Sequence, residues 1–145
     1  MKNEDLLKLE NQLCFPIYAC SREIIKAYHA PLKALNLTYT QYIVMMVLWE
    51  HSGLAVRELG EMLYLDSGTL TPLLKKMEAR GLLTRQRSEE DERVVLVQIT
   101  AEGRALRAQA QAVPQAMACR LPLSDTEAKT LYGLLYKILD GLQKN

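Results

Sequence analysis

Apolar residues recur at helical spacing over most of the chain. Between residues 6 and 30, Leu6, Leu9, Leu13, Ile17, Ile24 and Tyr28 share one helical face, and Pro31 is expected to close the segment. Pro16 is tolerated in a first turn but not in a helix interior, which places the regular helix start near Cys14 to Pro16, after a looser lead-in. Thr38 and Gln41 have capping-box spacing ahead of the apolar run Tyr42 to Trp49, and Gly53 then interrupts the pattern. Residues 56–64 form a short helix with Val56, Leu59 and Leu63 inward. Leu65 and Asp66 make a tight turn, Ser67 caps a second helix running to Arg80, and Gly81 ends it.

The period then changes from 3.6 to 2. Leu82 to Arg87 and Val94 to Ile99 are two short strands, the second with Val95, Val97 and Ile99 on one face. The charged turn Ser88 to Glu92 joins them into a hairpin. Helical pattern returns at residues 101–118, and Pro122 follows. A second capping box, Ser124 with Glu127, opens a last helix striped by Leu131, Leu134, Leu135, Ile138 and Leu142. The fold class expected is mainly α with a small β-hairpin wing: a winged helix-turn-helix in one domain spanning 1–145, with 56–100 as its winged part.

Composition narrows the class. The chain has 145 residues, 49% hydrophobic and 24% charged, enough for one core. The run Ile43 to Trp49 is far shorter than the ~20 residues of a membrane span. The charged opening segment MKNEDLLKLE lacks a signal-peptide core, so a cytoplasmic setting is expected and the three cysteines are read as thiols. Net charge is only +1, yet Lys75, Lys76, Arg80, Arg85 and Arg87 stand against Glu78 alone between residues 75 and 87. A phosphate backbone responds to that local patch, not to the total.

That patch lies where a DNA-reading unit needs it. Ser67, Thr69 and Thr71 place short polar groups at the start of the second helix, Gly68 leaves room beside them, and Lys75 and Lys76 lie along its flank. Arg85, Arg87 and Arg93 belong to the hairpin, positioned to clamp an adjacent minor groove, and Asp91 is placed to orient Arg93. Ser67 as a simple cap and the lysines as a solvated face are the plainer interpretation of an isolated helix. Helix, turn, helix and basic wing within 45 residues favour double-stranded DNA.

The stretches LDSGTLTPLLKKMEARGLLTR and SEEDERVVLVQIT resemble the MarR family of winged-helix regulators. LENQLCFPIYA, REIIKAY and LNLTYTQY resemble its organic-hydroperoxide-sensing (OhrR-type) branch. The resemblance implies a homodimer built from helices in 1–37 and 101–145, a pseudo-palindromic operator and no cofactor. It implies that Cys14, in the LCF motif, is the peroxide-reactive residue, with Tyr28 and Tyr39 as hydrogen-bonding partners across the dimer. Cys119 takes the place of the resolving cysteine of two-cysteine members. Pro16, directly after LCF, and Ala55, at a helix start that usually carries Ser or Thr, depart from the branch pattern.

The residues themselves add chemical reasons. A free cysteine is most often an inert hydrophobe, but near a helix N-terminus unpaired N–H groups and the dipole favour the thiolate. Tyr18, one turn on, is a further possible donor to it. Cys20 is six residues from Cys14, about 9 Å along a helix axis, beyond the ~7 Å a disulfide spans. Two other functions compete. One is a repressor released by a small aromatic ligand held near Tyr42, Trp49 and Met45–Met46. The other is a thiol peroxidase, disfavoured because His29 and His51 have no carboxylate pattern and a basic wing has no part in such an enzyme. No Cys-x-x-Cys or histidine cluster suggests a metal.

Overall fold

The computed structural model describes residues 5–144; the first four residues of the charged opening segment, and Asn145, lie outside the described residues. A short 3-10 turn (Leu9–Asn11) leads into α1 (Cys14–Lys33), followed by α2 (Tyr39–Glu50), β1 (Leu54–Ala55), α3 (Val56–Leu63) and α4 (Ser67–Ala79). Then come β2 (Leu83–Arg87), β3 (Val95–Ile99), α5 (Ala101–Ala110), α6 (Ala112–Ala118) and α7 (Asp125–Gln143). No helix among the described residues is long and apolar enough to cross a membrane.

Helix boundaries follow local chemistry. Pro16 is the third residue of α1, where its missing N–H is one of those a helix start leaves unpaired anyway. Pro31 does not end the helix as expected: α1 continues to Lys33, because a proline two residues from the end disturbs only the final turn. The chain turns away from the helix axis at Asn36, which adopts a left-handed conformation (φ 51°) while the Leu37 N–H donates to the Leu32 carbonyl. Both capping boxes form, at Thr38 with Gln41 and at Ser124 with Glu127. The segment 101–118, expected as one helix, is divided at Gln111 into α5 and α6.

The α4 cap differs from expectation by one residue. Asp66 is the cap, its carboxylate accepting from the Thr69 N–H at 2.7 Å, and Ser67 is the first helical residue. An ionised carboxylate is favoured over a hydroxyl there by the helix dipole. At α3, Ala55 offers no side-chain acceptor, and only Glu58 reaches back to the Ala55 N–H at 2.9 Å. Ala55→Ser completes that cap and should stabilise the fold by about 1 kcal/mol, read as a higher denaturation midpoint; an unchanged midpoint refutes it.

β3 is central in an antiparallel sheet of order β1–β3–β2. Leu83 pairs with Ile99 and Arg87 with Val95, and Leu54 pairs with Val97 on the other edge. β1, two residues long, is the element the sequence pattern misses. The core gathers Leu32, Leu35 and Leu37 with Tyr42, Val44, Met45 and Leu48 of α2. Leu59, Leu70, Leu74, Met77, Leu83 and Val97 extend it beneath the sheet. Trp49 donates its indole N–H to the Gly103 carbonyl at 2.9 Å, tying α2 to α5. A side chain at Gly103 would collide with the Leu82 carbonyl, so only glycine admits that approach.

α7 behaves differently. No residue of it is buried: Leu131, Leu134 and Ile138 are exposed, and Leu142 is 67% exposed. The start of α1 is also uncovered, with Leu13 at 74% and Phe15 and Ile17 exposed. The apolar stripes at the two ends of the chain are therefore not core of the single chain.

Candidate nucleic-acid interface and thiol site

The turn between α3 and α4 is set by close packing. Tyr64 ends α3 in the left-handed region (φ 56°), and Gly60 lies so near the Leu65 carbonyl that a Cβ would stand 2.6 Å from it. This folds the start of α4 beside α3 and across from the hairpin. A cleft of about 1290 Å³ results, and Ser67, Thr71, Arg85, Asp91 and Arg93 line it together. Ser67 and Thr69 are exposed at the start of α4, Thr71 is half-buried, and Lys75 and Lys76 are exposed on its flank.

The wing arginines have three different environments. Arg93 has a side chain 91% exposed, and Asp91 accepts from its backbone N–H, its Nε (3.1 Å) and its Nη2 (3.3 Å). Those side-chain and backbone bonds hold the Asp91 carboxyl below its ordinary range, so it stays ionised and fixes the guanidinium at the wing tip. Arg87 is exposed and donates to the Glu92 carbonyl at 2.7 Å, stiffening the same turn.

Arg85, expected as a wing clamp, is the most enclosed of the three. Its side chain is only 21% exposed, with Nη2 donating to Glu78 Oε1 at 3.2 Å and the backbone N–H donating to Oε2 at 2.8 Å. Nε is buried with no partner among the described residues. The backbone bond first, then the side-chain bond, lower the Glu78 pKa. Arg85 therefore joins the end of α4 to β2 instead of standing free as a wing clamp. Glu78, seven residues away across two elements, is the partner that periodicity does not reveal.

All three cysteines are free thiols and exposed. Cys14 is the first residue of α1, and among the described residues no side chain caps that end. Tyr28 and Tyr39 do come together, with ring centroids 4.7 Å apart, and Tyr42 stands 5.9 Å from Tyr28. Burial first, and Tyr39 second, raise the Tyr28 pKa; burial, then Tyr28, raise that of Tyr42. Both phenols stay protonated at neutral pH, and Tyr28 keeps a proton to donate. Yet Tyr28 lies on the same helix as Cys14, about 21 Å along its axis. The structure does not bring thiol and phenols together within one chain. The Tyr18 hydroxyl accepts from Arg22 at 3.1 Å.

Of the residues suggested for an aromatic ligand, two belong to the core, Trp49 is half-buried against it and Met46 is exposed. Tyr42 and Met45 are core residues, and the Tyr42 and Trp49 rings meet edge-on at 6.4 Å. Among the described residues, no group of three histidine, cysteine or acidic side chains is gathered to hold a metal.

An exposed, polar-started helix beside a three-stranded sheet whose hairpin carries ordered arginines defines a winged helix-turn-helix DNA-binding protein. The family described as transcriptional regulator SarA/Rot matches residues 26–109. The chain is 51% identical over 147 residues to the organic hydroperoxide resistance transcriptional regulator of Bacillus subtilis (strain 168), covering 100% of both chains. Among solved structures it is similar to reduced AbfR bound to DNA (TM-score 0.77, 34% identity, 96% of each chain) and to disulfide-formed AbfR (TM-score 0.67, 33% identity, 96% and 95%). AbfR is a protein of Staphylococcus epidermidis. A mutant MarR from E. coli, complexed with operator DNA, gives a TM-score of 0.80 at 28% identity over 88% of this chain and 93% of that one. The chain belongs to the MarR-type winged-helix transcriptional regulators, in their organic hydroperoxide resistance branch.

Proposed function

We propose that this protein is a homodimeric repressor that holds a pseudo-palindromic operator when reduced and releases it when an organic hydroperoxide oxidises Cys14. The observation that carries the thiol part is the exposed Cys14 at the uncapped start of α1, beside an exposed apolar surface. The two chemical needs of such a sensor lie apart in one chain: the thiol at the start of α1, and the phenols where Tyr28, late in α1, meets Tyr39 at the start of α2. A second copy running the other way joins them. Residues 1–37 and 101–145 then supply the dimer contacts, with α7 covering its stripe, and 56–100 the reading head. Ser67, Thr69 and Thr71 face base edges, Lys75, Lys76 and Arg87 meet phosphates, and Arg93, oriented by Asp91, enters the minor groove.

The chemistry is a two-electron oxidation. The Cys14 thiolate attacks the terminal peroxide oxygen, the O–O bond breaks, and with one proton the products are Cys14 sulfenic acid and the alcohol. The Cys119 thiol then attacks the sulfenic sulfur, forming an intersubunit disulfide and releasing water. Each cycle consumes one peroxide and stops there until a reductant restores the thiols, so the protein acts as a switch and not as an enzyme.

The test is a peroxide titration of the operator complex, with crosslinking followed on non-reducing gels. Wild type should release DNA while forming a covalent dimer; Cys119→Ser should form sulfenic acid and no crosslink. A crosslink that persists in Cys119→Ser refutes the two-cysteine route.

A further inference from the structure

Pro31 has a consequence for the far side of the molecule. In α1 the Ala27 carbonyl would ordinarily accept from the N–H four residues on, but that residue is Pro31 and has none. Arg120 supplies the missing donor: its Nη1 donates to the Ala27 carbonyl at 3.3 Å, across 93 positions of sequence. Arg120 directly follows Cys119, the residue that ends α6, and its own N–H donates to the Met117 carbonyl at 2.9 Å. The end of α6 that carries Cys119 is packed through buried Val113 and Met117, and this bond adds a tie from the residue after Cys119 to α1. Beyond it the chain runs through the connection 120–124, where Leu121 and Leu123 are exposed, before α7 begins.

We propose that Arg120 is a positioning residue for disulfide formation, holding Cys119 in register on α1 so that it meets the oxidised Cys14 of a second copy. The inference rests on the two-cysteine function proposed above. Cys119 is exposed at the end of α6 and an irregular connection follows it, so a fixed position against α1 raises its encounter rate with a short-lived sulfenic acid. The Ala27 bond holds the chain at that point, and Pro31 leaves the Ala27 carbonyl without its usual helical donor.

The experiment separates the two chemical steps. In Arg120→Ala, peroxide should convert Cys14 to sulfenic acid at the wild-type rate, trapped with a dimedone probe. The covalent dimer should then appear about fivefold more slowly, the loss expected of one hydrogen bond. Arg120→Lys keeps a donor and should restore part of that rate. Pro31→Ala leaves Arg120 intact but gives the Ala27 carbonyl a competing helical N–H, and should slow crosslinking in the same direction without lowering the denaturation midpoint. Crosslinking at the wild-type rate in both Arg120→Ala and Pro31→Ala overturns the positioning role. Absence of sulfenic acid in the wild type itself overturns instead the function on which the role rests.

Discussion

Serine in place of Cys14 should leave operator affinity within about twofold of wild type and abolish release by organic hydroperoxide. Cys14 is exposed, so the exchange of sulfur for oxygen creates no cavity and disturbs no packing. What it removes is the nucleophile: an alcohol at neutral pH does not reduce a peroxide. Allosteric couplings of about 1–3 kcal/mol change affinity roughly 5- to 150-fold, and that ratio between oxidised and reduced wild type should fall to one in Cys14→Ser. Fluorescence anisotropy with a labelled operator, titrated with and without cumene hydroperoxide, reads it directly. Release of the serine variant by peroxide would place the sensor at another residue.

Arg93→Ala should produce the largest loss of DNA affinity of any single wing substitution. Its guanidinium is almost fully exposed, held in place by Asp91, and lines the same cleft as Ser67 and Thr71. A specific contact is worth about 1–3 kcal/mol, and a two-fold dimer makes it twice, so the operator complex should weaken by roughly 30-fold to 10⁴-fold. Thermal stability should hardly change, because the Arg93–Asp91 pair lies on the surface. Less than a threefold change in dissociation constant at fixed salt refutes the assignment. Arg85→Ala makes an instructive contrast: it removes the partner of Glu78, and its first effect is on the joint between α4 and the sheet.

Features fixed by neighbouring residues are legible in the sequence. The capping boxes at Thr38 and Ser124, the left-handed Gly81 after α4 (φ 74°) and the hairpin strands all depend on contacts a few residues long. The α4 boundary shifts by one residue because Asp66 and Ser67 are both good caps, and only the bond to Thr69 separates them. Two-residue β1 is too short to show a period, and it exists because β3 has an open edge. In the site, the exposed polar start of α4 and the Asp91–Arg93 pair follow from spacing. Arg85 does not, since a strut and a clamp use the same side chain and differ only in what lies across the fold. Tyr28 and Tyr39 can be paired with Cys14 only through family resemblance, because within a single chain no geometry joins them. Arg120 escapes the sequence pattern altogether, although a proline beyond the first turn of a helix leaves the carbonyl four residues earlier without its helical donor.

The uncovered face of α7 makes the amount of protein in the cell part of its structure. A helix with no buried residue gains its packing from a partner, so raising the chain concentration shifts the monomer–dimer balance toward the form able to grip both half-sites. A faulty copy able to pair but not to read DNA would then disarm a sound one, and a single defective allele would weaken repression in the presence of a normal one.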